Sequence, residues 1–371
     1  MRPTFDSKLK SKSSLLIGSD VEQLSRLDYV TGIQRVVIET HKYLWENITE
    51  SNNAIKGFIT KDDERLMEYR KSEYYKSDPV IHGDLANLSD LDLVLLLDLN
   101  WGFSFPALMK ERQKRNLPVI SIIYDFLPIH HPEWFPVEGA KTAFRVYLQK
   151  LIAVSDHLIF NSKKVEEDFN DLGWNFAGKT HVFPLGAFEK PRVYIPHVNP
   201  PKTIITVGTI EPRKGHQEII EAFDLLLKSK ENYNLFIVGR YGWESEELVR
   251  NIFTHPEYGG RLRWFQNLND AEIAALYDGS SIAVAGSHDE GFGLNIEEAL
   301  SHNLKVVARD IPVFREREQP NLYFFEDGAI NLHDAILKAE KSPWDNATNK
   351  NLRTMDDFSE QVYSLIVSIL T

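Results

Sequence analysis

Cysteine is absent from the 371 residues, which excludes disulfides, thiolate zinc sites and cysteine nucleophiles; a reducing cytosol is compatible with this. No apolar run approaches the ~20 residues a membrane helix needs. The amino terminus carries Arg2, Lys8, Lys10 and Lys12 ahead of an apolar stretch too short for a secretory signal. A cytoplasmic protein is expected, its lysine tail read first as a solvated one, with weak peripheral contact with anionic lipid at the inner face of the cell membrane as the alternative. Positive charge is in the minority, 42 Lys and Arg against 54 Asp and Glu, for a net charge of −12. That argues against nucleic acid as a partner, which needs a basic face, but not against a nucleotide, for which a few local cations suffice. Glycine is missing where a dinucleotide fingerprint requires three: the first strand–helix turn has only Gly32, so a dehydrogenase is disfavoured.

What is present is an alternation of apolar strands and amphipathic helices. Composition is that of an ordinary globular protein, 43% hydrophobic and 26% charged, and the length suggests two domains. Leu93 to Leu97 and Val119 to Ile123 are unbroken apolar runs, as in strands of a parallel sheet covered on both faces. The stretch from Thr31 reads as a capped helix with Ile33, Val36, Val37 and Leu44 on one face. Ser162 is positioned to cap a helix after the strand around Phe160. Residues 60–80, charged and tyrosine-rich, read as a solvated helix with a loop. Pro191, Pro196, Pro200 and Pro201 mark a linker. The expected division is therefore 1–195, 203–345 and a carboxy-terminal segment 346–371, helical by period and packing back on the first domain.

Three stretches carry chemistry. Ser287-His288-Asp289-Glu290-Gly291-Phe292-Gly293-Leu294 follows an apolar strand and opens into a helix that includes Glu298. Glycines on a strand-to-helix turn let backbone N–H groups approach an anion, and the helix end favours it. Pattern alone leaves a tight connection with a solvated Glu298 equally open. Pro212-Arg213-Lys214-Gly215 lies in another strand-to-helix loop, where two cations suit a diphosphate. Tyr124 and Asp125 end the strand 119–123, and ligands of open α/β sheets gather at such carboxyl ends. Asp98-Leu99-Asn100 has Asn where a metal-binding Asp-x-Asp needs its second acid, and adjacent His130 and His131 lack a third ligand, so no metal is expected.

These stretches, in this order, resemble the retaining glycosyltransferases of family 4 (glycosyl transferases group 1). Glu290 and Glu298 match the Glu-x7-Glu signature, Lys214 a donor-binding lysine, and Asp125-Phe126-Leu127-Pro128 with His131-Pro132-Glu133 a segment common in the family. Thr31-Gly32-Ile33-Gln34-Arg35-Val36 resembles a subset that includes bacterial surface-polysaccharide mannosyltransferases. The resemblance implies an α/β GT-B fold, two Rossmann-like α/β/α domains facing across a cleft. It implies transfer from a nucleotide sugar, GDP-mannose first, to a glycan or lipid-linked acceptor, without metal or other cofactor. Gly32, Arg213, Lys214, Gly291, Phe292, Gly293, Leu294 and Glu298 would bind the donor, Glu290 would act on the sugar, and Tyr124 and Asp125 would serve the acceptor side. Two positions depart from the family: Tyr124 stands where a histidine is usual, and Thr209 where an arginine is, leaving its phosphate contact to Arg213. These departures keep a non-catalytic binding subunit in view, and a nucleotide-sugar epimerase is the other alternative.

Overall fold

The computed structural model describes residues 15–20, 31–48, 54–62, 65–69, 91–100, 105–135, 137–188, 202–229, 231–345 and 352–371. The basic tail, residues 70–90 and the proline-rich linker lie outside them. The chain divides into two compact units. One comprises Met1–Ile129, Lys141–Leu185 and Met355–Thr371, the other His130–Ala140 and Gly186–Thr354.

The first unit is built on seven strands: β1 (Leu16–Asp20), β2 (Ala54–Asp62), β3 (Arg65–Tyr69), β4 (Leu93–Leu96), β5 (Val119–Ile123), β6 (His157–Phe160) and β7 (Lys179–Val182). Their order is β3-β2-β1-β4-β5-β6-β7, parallel except for β3, which runs antiparallel to β2. Residues of β4 and β5 are buried throughout, which is why those strands are continuous apolar runs rather than alternating ones. In place of the solvated helix expected over 60–80, residues 60–62 are the end of β2 and residues 65–69 are β3, paired antiparallel with Asp62 opposite Arg65. Strand pairing beside β1 overrides the local preference of a charged segment, as context often does in sheets.

Helix Gly32–Ile48 buries Val36, Val37, Leu44 and Ile48, and it packs against helix Met355–Leu370, which buries Phe358, Val362, Leu365 and Ile366. Each such side chain contributes about 1.5–3 kcal/mol on burial, so the terminal helix is an integral wall of the first unit. Ser162 caps helix Lys163–Asp171, its hydroxyl accepting the Val165 N–H at 3.2 Å.

The second unit holds β8 (Lys202–Val207), β9 (Tyr233–Val238), β10 (Leu262–Phe265), β11 (Ile282–Ala285), β12 (Lys305–Arg309) and β13 (Leu322–Phe325). All are parallel, in the order β10-β9-β8-β11-β12-β13. Strand order reverses between β8 and β11, and between β1 and β4 in the first sheet. At such switch points the loops leaving two adjacent strands turn to opposite faces and leave a crevice for a ligand. Among the described residues no helix is long and apolar enough to cross a membrane.

Candidate active site

The switch point of the second sheet carries the two loops singled out by their residues. The loop after β8 leads through the short helical turn Pro212–Lys214 into helix His216–Lys228. The loop after β11 leads through Ser287 and Glu290 into helix Leu294–Ser301. They are stitched together: the His288 N–H donates to the Arg213 carbonyl at 2.8 Å. Gly215 makes this approach possible. Its φ is +67°, and a Cβ there would sit 2.3 Å from the Gly286 carbonyl oxygen.

Glu290 is the centre of charge. Its carboxylate meets Arg213 NH1 at 2.8 Å and the Lys214 ammonium, and it accepts the Ser287 hydroxyl at 2.9 Å. Arg213 is held from the other side by Glu211 at 2.7 Å. Burial alone would push the Glu290 pKa up, but the Arg213 and Lys214 charges and hydrogen bonds outweigh it and hold the carboxyl at about 2. Glu290 is thus an anion at neutral pH. It can accept hydrogen bonds from hydroxyls but has no proton to donate as a general acid. Burial dominates at Glu211 and raises its pKa despite Arg213 and Lys214.

Because the Glu290 pKa is depressed, its stabilisation is complete above the unfolded value near pH 4.3 and is lost as pH falls through about 2. The difference corresponds to about 3 kcal/mol. The expected result is a melting temperature that falls less steeply between pH 4.5 and about 2 in Glu290→Gln than in wild type, measured by calorimetry. Equal slopes would remove Glu290 from the acid response.

Behind this cluster two arginines, Arg309 buried and Arg317 partly buried, grip the loop at both ends. Arg309 Nε donates to the Gly286 carbonyl at 2.9 Å while its guanidinium pairs with Glu218 at 2.6 Å and with Asp327. Arg317 donates to the Phe292 carbonyl, and to that of Gly293 at 3.1 Å, with its guanidinium stacked 4.2 Å over the Phe292 ring. Gly293, the residue before the helix, has φ +89°. The Gly286, Phe292 and Gly293 carbonyls of the loop are thus all held by arginine side chains. Glu298 is buried one turn into the helix, where the Tyr277 hydroxyl donates to it at 3.4 Å. Tyr277 in turn stacks on His302, which pairs with Asp278 at 2.7 Å. Glu297 is buried too, its pKa raised by burial and eased by Arg317.

Of the residues singled out from sequence, Arg213, Lys214, Glu290, Gly291, Phe292, Gly293, Leu294 and Glu298 belong to the second unit, and Gly32, Tyr124 and Asp125 to the first. Gly32 begins helix Gly32–Ile48, at the switch point of β1 and β4. There Gln34 donates to Asp98 at 2.9 Å, and Asn100 to Asp20 at 3.4 Å. Tyr124 turns inward: its hydroxyl donates to the Leu97 carbonyl at 2.8 Å, and burial followed by the Asp98 charge raises its pKa, so it stays protonated. Asp125 accepts the Leu127 N–H at 3.1 Å. Glu211, Arg309 and Arg317 escaped the sequence reading, and Ser287 was named in its stretch without a role of its own. A charge ending the apolar strand β12 was a usable signal for Arg309; Arg317 offered none. Among the described residues no three His, Cys, Asp or Glu side chains are grouped as metal ligands.

A sequence model of the family described as glycosyl transferases group 1 matches residues 189–357. The chain is 30% identical over 377 residues to a serotype-specific mannosyltransferase WbdA of Escherichia coli, covering 92% of this chain and 45% of that protein. A second WbdA from Escherichia coli is 29% identical over 340 residues, covering 84% of this chain and 39% of that protein. The chain thus spans less than half the length of these relatives. Among solved structures, sucrose-phosphate synthase from Thermosynechococcus elongatus superposes with a TM-score of 0.67 at 15% identity, covering 96% of this chain and 99% of that one. Anabaena HepE, in complex with UDP and glucose, superposes with a TM-score of 0.65 at 14% identity, over 95% and 100% of the two chains. At that identity the likeness shows the fold, which is GT-B: two α/β domains on largely parallel sheets.

Proposed function

Because the chain belongs to the glycosyl transferases group 1 family, we propose that it moves a sugar from a nucleotide-sugar donor to a hydroxyl of a glycan or lipid-linked acceptor, with retention at the anomeric carbon. GDP-mannose is the favoured donor, on the strength of the likeness to WbdA, named a mannosyltransferase, and of the Thr31-to-Val36 stretch. The carrying observation is the ionised, buried Glu290 clasped by Arg213 and Lys214 at the switch point of the second sheet.

That clasp is an occupied anion site. A donor diphosphate competes with Glu290 for the two cations, draws them to itself and leaves the carboxylate to accept hydrogen bonds from sugar hydroxyls. The Gly291 to Leu294 backbone at the helix end adds dipoles to the same anion, and Glu298 takes the ribose. As the bond from the anomeric carbon to the diphosphate oxygen breaks, Arg213 and Lys214 stabilise the charge on the leaving group. The acceptor oxygen bonds to the anomeric carbon on the same face, and its proton passes to the departing diphosphate. Two fixed cations neutralise the diphosphate in this scheme, so no metal or other cofactor is assigned. Tyr124 and Asp125 remain acceptor-side candidates, Asp125 by its carboxylate and Tyr124 by shaping the strand end. A cytoplasmic placement with peripheral membrane contact through the lysine tail completes the reading.

The test is a thermal-shift panel of GDP, UDP, dTDP and their sugars, in EDTA, on wild type and Glu298→Ala. A ligand at ~100 times its Kd adds about 2.7 kcal/mol to stability. GDP and GDP-mannose are expected to raise the midpoint most, and the shift is expected to shrink in Glu298→Ala. A shift with UDP alone reassigns the donor; one that EDTA abolishes introduces a metal. No shift with any nucleotide at millimolar concentration replaces the proposal by a non-catalytic binding subunit. Release of free epimerised sugar without acceptor replaces it by an epimerase.

A further inference from the structure

The segment His130–Ala140 is flanked in sequence by residues of the first unit yet belongs to the second. Two tryptophans anchor it. The Trp243 indole N–H donates to the Trp134 carbonyl at 2.5 Å, and Phe135 stacks on the Trp243 ring with centroids 6.2 Å apart. His131, at the start of the short helical turn Pro132–Trp134, is pressed flat on Trp134, centroids 3.8 Å apart at an angle of 14°. Both ring nitrogens then face carboxylates: Nδ1 lies 3.1 Å from Glu133 Oε1, and Nε2 lies 3.4 Å from Asp289 Oδ2. The other oxygen of Asp289 accepts the backbone N–H of Glu290 at 2.8 Å, and the carbonyl of Asp289 accepts from Arg213 at 3.3 Å.

We infer that His131 is a positioning residue for the Glu290 loop, acting through Asp289 and oriented by Glu133. Stacking on Trp134 fixes the plane of the ring, and Glu133 fixes its rotation. An imidazole in that plane has one direction left in which to meet Asp289. The ring thus lies between the two carboxylates, with Nδ1 against Glu133 and Nε2 against Asp289. Asp289 is thereby held with one oxygen on His131 and the other on the Glu290 amide, which sets where the Glu290 backbone sits relative to Arg213 and Lys214. The consequence for sugar transfer rests on the function proposed above; the holding of the loop does not.

The experiment reads both separately. Hydrogen–deuterium exchange of the 287–293 peptide is followed in wild type, His131→Ala, His131→Gln, Asp289→Asn and the His131→Ala/Asp289→Asn double variant. Turnover with GDP-mannose and the Kd for GDP are measured alongside. His131→Ala is expected to speed exchange of that peptide about tenfold and to lower kcat about tenfold, with the GDP Kd within about twofold. The double variant is expected to match the worse single one, because both changes break one connection. His131→Gln, which can still donate to Asp289, is expected to recover part of the protection. Wild-type exchange in His131→Ala overturns the inference, as do effects that multiply in the double variant. A wild-type protein that transfers no sugar overturns the proposed function, while the exchange of the 287–293 peptide still decides the role of His131.

Discussion

Glu290→Gln is expected to lower sugar transfer by about 100- to 1,000-fold while the affinity for a nucleoside diphosphate holds or tightens. The substitution keeps the shape of the side chain and removes its charge. Arg213 and Lys214 now share a neutral amide oxygen where each had a carboxylate oxygen to itself. Arg213 keeps Glu211, so one cation stays paired while Lys214 loses its carboxylate partner on Glu290. The competition of the Glu290 charge with a diphosphate is then removed, which is why nucleotide binding does not suffer. The sugar, in contrast, loses an ionised acceptor that the enzyme holds at a fixed place, and rate follows such preorganised charge more than affinity does. Steady-state kinetics with GDP-mannose, together with calorimetric binding of GDP, separates the two effects. A tenfold weaker Kd with unchanged kcat would make Glu290 a donor-binding residue only.

The second large effect is expected at Gly293. Its φ of +89° lies where an L side chain is strained, and a Cβ would sit 2.5 Å from Cε1 of Phe314. Phe314 is fully buried and cannot step aside. Backbone strain of about 1–2 kcal/mol plus an overpacking term of about 1–3 kcal/mol predicts that Gly293→Ala loses about 2–5 kcal/mol. For a domain of this size that lowers the melting temperature by roughly 4–20 °C. If the loop moves instead of unfolding, the Phe292 and Gly293 carbonyls leave Arg317, and the loss shows as a fallen transfer rate at an unchanged melting temperature. A variant that keeps both stability and rate would mean that the gripped loop has no functional weight.

What the sequence made legible follows from how local each signal is. Burial on both faces forces unbroken apolar runs, so β4, β5 and β11 could be read directly, and helix Met355–Leu370 showed its period. Glu290, Arg213 and Lys214 could be found because each stands beside glycine on a strand-to-helix turn. What escaped depends on partners far along the chain. Arg317 reaches carbonyls 24 and 25 residues before it, and nothing in its neighbours announces that. His131 stood out only as part of the His131-Pro132-Glu133 segment and of an incomplete metal pair; its contact with Asp289 spans the whole linker. The hairpin β2–β3 was read as helical because charged side chains are common to solvated helices and to edge strands, and only pairing decides between them.

The chain leaves the first unit after Leu185 and rejoins it at Met355. At the crossing the Ala187 N–H donates to the Arg353 carbonyl at 2.9 Å, and Gly186 lies so close to Thr354 that a Cβ there would fall 2.3 Å from its carbonyl. The way in and the way out are therefore neighbours, and what lies between them is a cassette. A cassette with adjoining ends can be exchanged for another sheet with the same end spacing only if the contacts of His130–Ala140 with Trp243 and Asp289 are rebuilt as well. Continuity of the chain at this point is thus set by a single pair of neighbouring backbone strands, at Gly186–Ala187 and Arg353–Thr354.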